Sequence, residues 1–170
     1  MRSMSSLLIA WAAAVAAGLT FATPDGWRQS AGGSSMRVAE FTLPRADGDA
    51  EDAQLIVYYF GGQGGSVDAN IERWVGQMQQ PDGRPSTAAA RKQTRTVNGL
   101  TVTLIDVDGT YVAEMSPGAA ARHNKPRFRL RAGVVETPTG PYFIKLTGPS
   151  RTIAAAEKAF EQFLGSVKYQ

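Results

Sequence analysis

The sequence predicts an α+β domain in which a largely antiparallel sheet of six or seven strands is flanked by two amphipathic helices. Three observations carry that prediction. The run Leu55 to Phe60 is wholly apolar or aromatic and includes the β-branched pair Ile56-Val57, the composition of a strand covered on both faces. Asn98-Gly99 separates two strand-like runs and suits the two positive φ angles of a type I′ hairpin turn. Two segments, one starting at Val67 and one spanning Thr152 to Val167, repeat apolar residues at helical spacing.

In chain order, the first residues have the form of a secretory signal. Arg2 is the only charge before Asp25, and Leu7 to Phe21 is an apolar and small-residue run interrupted only by Gly18 and Thr20. Thr20-Phe21-Ala22 places small residues at the third and first positions before a cut, so residues 1–22 are expected to be removed and Thr23 to begin a single domain, 23–170; cuts after Ala17 or Gly18 are the alternatives. The competing reading is an uncleaved N-terminal membrane anchor, but the run is shorter than the ~20 apolar residues of a spanning helix. Trp27 is expected to pin the N-terminus onto the domain. Met36 to Leu43 alternates as a strand and stops at Pro44, and the acidic connection Arg45 to Asp52 leads into Leu55, which implies an antiparallel pair.

Gly61, Gly62, Gly64 and Gly65 then break the pattern, and Ser66 stands where an N-cap accepts backbone N–H groups. In the helix that follows, Val67, Ile71, Trp74, Val75 and Met78 form the apolar arc, while Asn70, Arg73 and Gln77 line one edge of it beside Trp74. Pro81 to Gln93 reads as an exposed loop. Arg95 to Val97 and Leu100 to Val107 form the hairpin, and Asp108-Gly109 offers a second reversal into Thr110 to Met115. Ser116 to Pro126 is a loop, Arg127 to Glu136 and Pro141 to Leu146 are the last strands, and the terminal helix buries Ile153, Ala156, Phe160, Phe163, Leu164 and Val167.

This order of elements, with the final strand Tyr142 to Pro149 running into a helix that ends Phe163-Leu164-Gly165-Ser166, resembles the PsbP-like superfamily, which is named after an extrinsic photosystem II protein. The segments Met36-Arg37-Val38-Ala39 and Asn70-Ile71-Glu72-Arg73-Trp74 are also similar to a group of uncharacterised exported bacterial proteins associated with that fold. The resemblance implies a binding or assembly domain and brings no catalytic motif with it.

Composition narrows the function classes. With 43% apolar and 19% charged residues the chain is ordinary globular material, and the absence of cysteine excludes disulfides, thiolate chemistry and a lipid-modified cysteine. Thr23 to Gln80 carries 4 basic and 8 acidic residues and Pro81 to Gln170 carries 13 and 7, so the second half is basic. Its basic loop, with Arg84, Arg91, Lys92 and Arg95, lacks interleaved aromatics, so nucleic acid is not expected as a partner.

The glycine loop lacks the Lys-Ser/Thr ending of a P-loop, Asp106-Val107-Asp108-Gly109 lacks the further ligands of a calcium loop, and His123 is the only histidine. No Gly-x-Ser-x-Gly elbow is present. The carboxylates Asp47, Asp49, Glu51 and Asp52 crowd one polar connection.

The expectation is therefore an exported, monomeric, periplasmic or extracellular protein without cofactor or metal. It would act as a non-catalytic binding or assembly factor of the cell envelope; the other class open to it is a small secreted hydrolase or carbohydrate-active enzyme. The expected working surface is Gly61, Gly62, Gly64, Gly65, Ser66, Asn70, Arg73, Trp74 and Gln77, and the expected partner an envelope protein or a small anionic ligand.

Overall fold

The computed structural model describes residues 18–31 and 33–170. Its centre is an eight-stranded sheet in which every pairing is antiparallel. The order is β2 (Arg28–Ser30), β3 (Arg37–Leu43), β4 (Ala53–Tyr59), β9 (Gly140–Pro149), β8 (Lys125–Thr137) and β7 (Leu100–Tyr111). The long β7 takes two further partners: β6 (Arg91–Val97) along its first half and β5 (Met78–Gln79) at its end. A two-stranded ribbon joins β1 (Leu19–Thr20) to β10 (Lys168–Tyr169) at the chain ends. The helices are α1 (Val67–Val75), α2 (Ser86–Ala89), α3 (Ser150–Ala155) and α4 (Glu157–Gly165).

The strand Leu55 to Phe60 is central as expected, since β4 lies between β3 and β9. Alternation along β4 and β9 sends side chains to opposite faces. Leu55, Val57, Tyr142, Ile144 and Leu146 join Phe160, Phe163 and Leu164 of α4 in one core. On the other face Phe143 joins Ile71, Trp74 and Val75 of α1, with Ile105, Val107 and Leu130, in a second and smaller core.

Several local expectations are corrected. The first helix ends at Gly76, after nine residues, because Met78 and Gln79 pair with β7 in place of continuing it. The segment read as the loop Pro81 to Gln93 contains α2 and the start of β6. Asn98-Gly99 does form the turn, with φ of 48° and 80°. Asp108-Gly109 does not reverse the chain: β7 runs through it, with a register shift against β8 between Gly109 and Tyr111. Asn-Gly satisfies both turn positions, whereas here β8 offers an uninterrupted neighbour and the ladder continues. The terminal helix breaks at Ala156 into α3 and α4, and its apolar residues Ile153, Phe160, Phe163, Leu164 and Val167 are buried as expected.

The N-terminus is built into the domain earlier than Thr23. Leu19 and Phe21 are fully buried, and the Phe21 ring packs 5.0 Å from Phe163 and 6.0 Å from Phe41. Gln170 donates its backbone N–H to the Gly18 carbonyl at 2.7 Å, and Ala22 donates to the Ser166 hydroxyl at 2.9 Å. Trp27 packs on Phe41 and Phe163, as expected of a pin. Of the expected signal, residues 1–17 lie outside the described residues. Among the described residues, no helix is long and apolar enough to cross a membrane.

Candidate anion-binding cavity

The early stop of α1 creates the cavity. Nine helical residues cover the β7 and β8 side of the second sheet face, leaving Gln54, Ile56 and Tyr58 of β4 and Lys145 and Thr147 of β9 uncovered. These form the floor of a cavity of 720 Å³. Its walls are Arg37 from β3, Arg73, Gly76 and Gln77 from α1, Tyr111 at the end of β7, and residues 113–117 with Arg122 and His123 from the connection to β8. A bridge between Glu114 and Arg122 and the bond from the His123 N–H to the Ala113 carbonyl at 2.9 Å fold that connection back on itself.

The walls are cationic. Arg37, Arg73, Arg122 and Lys145 face one lining carboxylate, Glu114. Two of the four cations are already engaged: Arg37 with Glu40 at 2.8 Å and Arg122 with Glu114 at 3.7 Å. Arg73 donates only to the side-chain oxygen of Asn70, and among the described residues it has no carboxylate partner. Lys145 is half-buried, and its Nζ donates to the Tyr111 hydroxyl at 3.2 Å and lies 5.3 Å from that ring's centre. Burial, and then the charge of Arg73, hold the Lys145 amine down at about 8. Burial pushes the Tyr111 hydroxyl up, and the neighbouring Tyr58 adds to this, so it remains a hydroxyl. The Tyr111 ring stacks on His123 at 5.3 Å and on Phe128 at 6.1 Å, which fixes the phenol under the amine. The side-chain carbonyl of Gln77 is buried without a hydrogen-bond partner.

Of the residues singled out in the sequence, the structure brings Arg73 and Gln77 to this cavity and gives the others structural contacts. Ser66 caps α1 by accepting from the Ala69 N–H at 3.1 Å. Asn70 is fully buried and donates to the Gly64 and Ser66 carbonyls at 2.7 and 2.8 Å, so it ties the glycine loop to the helix. Trp74 is buried edge-on against Phe143. Gly64 packs against the Phe143 and Phe60 rings, and a Cβ on Gly140 would collide with Gly62, so these glycines serve close packing of the loop on the β8–β9 turn. Gly61 and Gly65 have positive φ in the same loop. Replacing Asn70 with Ala is expected to cost about 1–3 kcal/mol in urea unfolding, because the fully buried side-chain amide loses its two part-buried bonds to the loop carbonyls. A loss below about 0.5 kcal/mol would mean the loop does not depend on it.

The basic segment is corrected as well. Arg84 pairs with Asp82, Lys92 with Asp68, Arg95 with Glu161, and Arg91 with Asp106 and Asp108, so its charges are met within the chain. Three of these residues lie on β6. Asp106 also takes Arg129 at 2.7 Å. Burial works to raise its carboxyl, but the bonds and charges of Arg129, Arg91 and Arg131 outweigh that and lower it. Among the described residues no group of His, Asp or Glu side chains could hold a metal ion.

No family model matches the chain, and no curated protein matches it by sequence. Solved structures do. CyanoP, the cyanobacterial PsbP of Synechocystis sp. PCC 6803, is similar with a TM-score of 0.52 and 13% identity, covering 100% of this chain and 99% of its own. The chain has a PsbP-like fold. PA94 of Pseudomonas aeruginosa, a protein of unknown function, is similar with a TM-score of 0.53 and 16% identity over 89% of this chain and 91% of that one. In this PsbP-like domain Lys145, Tyr58 and Tyr111 escaped sequence reasoning because the first reads as strand filling and the tyrosines as core. A lysine between Ile144 and Leu146, in an otherwise apolar strand, is the signal that could have found the site.

Proposed function

We propose that the protein is an exported, non-catalytic binding domain that takes a small organic anion in the cavity beside α1. The observation that carries this reading is the pair of cations without carboxylate partners among the described residues, Arg73 and Lys145, on one cavity of small-molecule size. A half-buried ammonium without a counter-charge costs stability, and a bound anion would supply that charge. The unpartnered Gln77 carbonyl adds an acceptor for a hydroxyl or amide on that ligand. The hydrolase alternative draws no support from the site, where His123 is stacked on Tyr111 and no serine is bonded to it. Export rests on the apolar N-terminal run with its single arginine.

Calorimetric titration with phosphate, acetate, lactate and citrate tests the reading. At least one of these is expected to bind, and the double variant Arg73→Ala with Gln77→Ala to weaken it about tenfold or more while melting within a few degrees of the parent. Binding undiminished in the double variant, or absent for all four anions, would refute it.

A further inference from the structure

We propose that Lys145 captures a small 2-oxo acid in this cavity as a Schiff base, with Arg73 holding the carboxylate. The inference rests on the anion-binding reading above and names the ligand's class. A site that only clamps anions would need cations, and an exposed lysine would serve. Here the amine is half-buried on a strand, donates only to a neutral phenol, and stands near a second cation. That is the environment that makes a lysine a nucleophile, because both desolvation and a neighbouring positive charge favour the uncharged amine. With the amine held at about 8, about a tenth of it is uncharged at pH 7, against about one part in 3,000 for an ordinary lysine.

The remaining groups match the step. The neutral Nζ adds its lone pair to the carbonyl carbon, and the carbonyl oxygen takes up a proton to give a carbinolamine. That oxygen then leaves as water, the C=N bond replaces the C=O bond, and Nζ gives up both of its protons. No electrons are gained or lost. Tyr111, 3.2 Å from Nζ and kept as a hydroxyl, is placed to relay these protons. Among the described residues Arg73 has no carboxylate partner, and it lies close enough for its charge to act on Lys145, so a carboxylate bound to it sits beside the amine. Arg37 and Arg122 are held by Glu40 and Glu114, which leaves Arg73, bonded to the neutral Asn70 side chain, as the wall guanidinium without a carboxylate partner among the described residues.

The test uses the full chain with pyruvate and cyanoborohydride, which reduces an imine to a stable secondary amine, followed by intact mass and peptide mapping. Lactate, which has the carboxylate but no carbonyl, serves as the non-covalent reference in a thermal-shift titration. One pyruvate is expected on Lys145, about tenfold or more above Lys92, Lys125, Lys158 and Lys168, and lost in Lys145→Arg and Lys145→Met. Arg73→Ala is expected to lower it about tenfold. Lactate binding without an adduct on Lys145 overturns the Schiff base and leaves the anion site standing. No adduct together with no binding of phosphate, acetate, lactate or citrate overturns both, and labelling spread evenly over the lysines overturns the assignment to Lys145.

Discussion

A chain beginning at Thr23 melts about 10–20 °C below one beginning at Gly18. The shorter chain lacks Leu19 and Phe21, both fully buried, and with them the β1–β10 ribbon. Removing a buried Leu and a buried Phe costs about 2–5 kcal/mol each when the core cannot close over the gap. Phe41, Phe163 and Trp27 pack with Phe21 in one cluster, so the gap would open at the centre of the larger core. A loss of about 5 kcal/mol is a large share of a domain's total stability, and at this size each kcal/mol shifts the melting point by about 2–4 °C. Expressing residues 18–170 and 23–170 side by side and melting both by circular dichroism makes the comparison. It also bears on export: a cut after Ala17 or Gly18 leaves the core whole, and N-terminal sequencing of secreted protein is expected to read Gly18 or Leu19. Equal melting points, or a secreted chain starting at Thr23, would show that the first strand is dispensable.

Replacing Lys145 with Met raises stability at pH 7, by up to about 3 kcal/mol, discounted for the water that still reaches the amine. The sign follows from the direction of the shift. Folding lowers the Lys145 amine from 10.5 to about 8, so between those values the folded chain binds fewer protons than the unfolded chain and parent stability rises with pH. Below about 8 the cost of holding the charge is fully present. Met fills the same space without a charge, so its advantage is greatest below about 8 and fades toward 10.5. The titratable and charged groups that line the cavity with the amine are Tyr111, Tyr58, Arg73, Arg37, Arg122, His123 and Glu114, and both tyrosines are pushed up by burial, so they stay neutral through most of that window. Urea unfolding of both proteins at pH 7 and pH 10 measures the difference. If Lys145→Met loses stability at pH 7, the lysine is a structural strut and the cavity has no reason to keep it. A stabilised variant that no longer binds its anion would instead be the stability cost expected of a binding residue.

What the sequence determined by itself was the set of elements whose signals are local. The central strand is legible from an unbroken apolar run, the hairpin from Asn98-Gly99, the cap from Ser66, and the buried face of the last helix from the spacing of Ile153, Phe160, Phe163 and Leu164. Each depends on residues within a few positions of one another, where propensity and periodicity act directly. The tertiary structure decided where those signals stop. Met78 fits the apolar arc of α1 but leaves it to pair with Tyr111, and Asp108-Gly109 has turn composition but is held straight in β7 by the β8 ladder. Both outcomes are set by partners distant in sequence, which outweigh a local preference of about 1 kcal/mol.

The candidate site divides in the same way. Arg73 and Gln77 were legible as a polar edge, while Asn70 on that edge is fully buried and donates to the Gly64 and Ser66 carbonyls. Lys145 became a site residue only through its surroundings. Strand pairing sets it beside Ile56, the short helix leaves that part of the sheet open, and the bulge after Gly109 brings Tyr111 beneath it. An amine's chemistry depends on how much water it keeps and which charges face it, and those are properties of the folded neighbourhood that no stretch of sequence states.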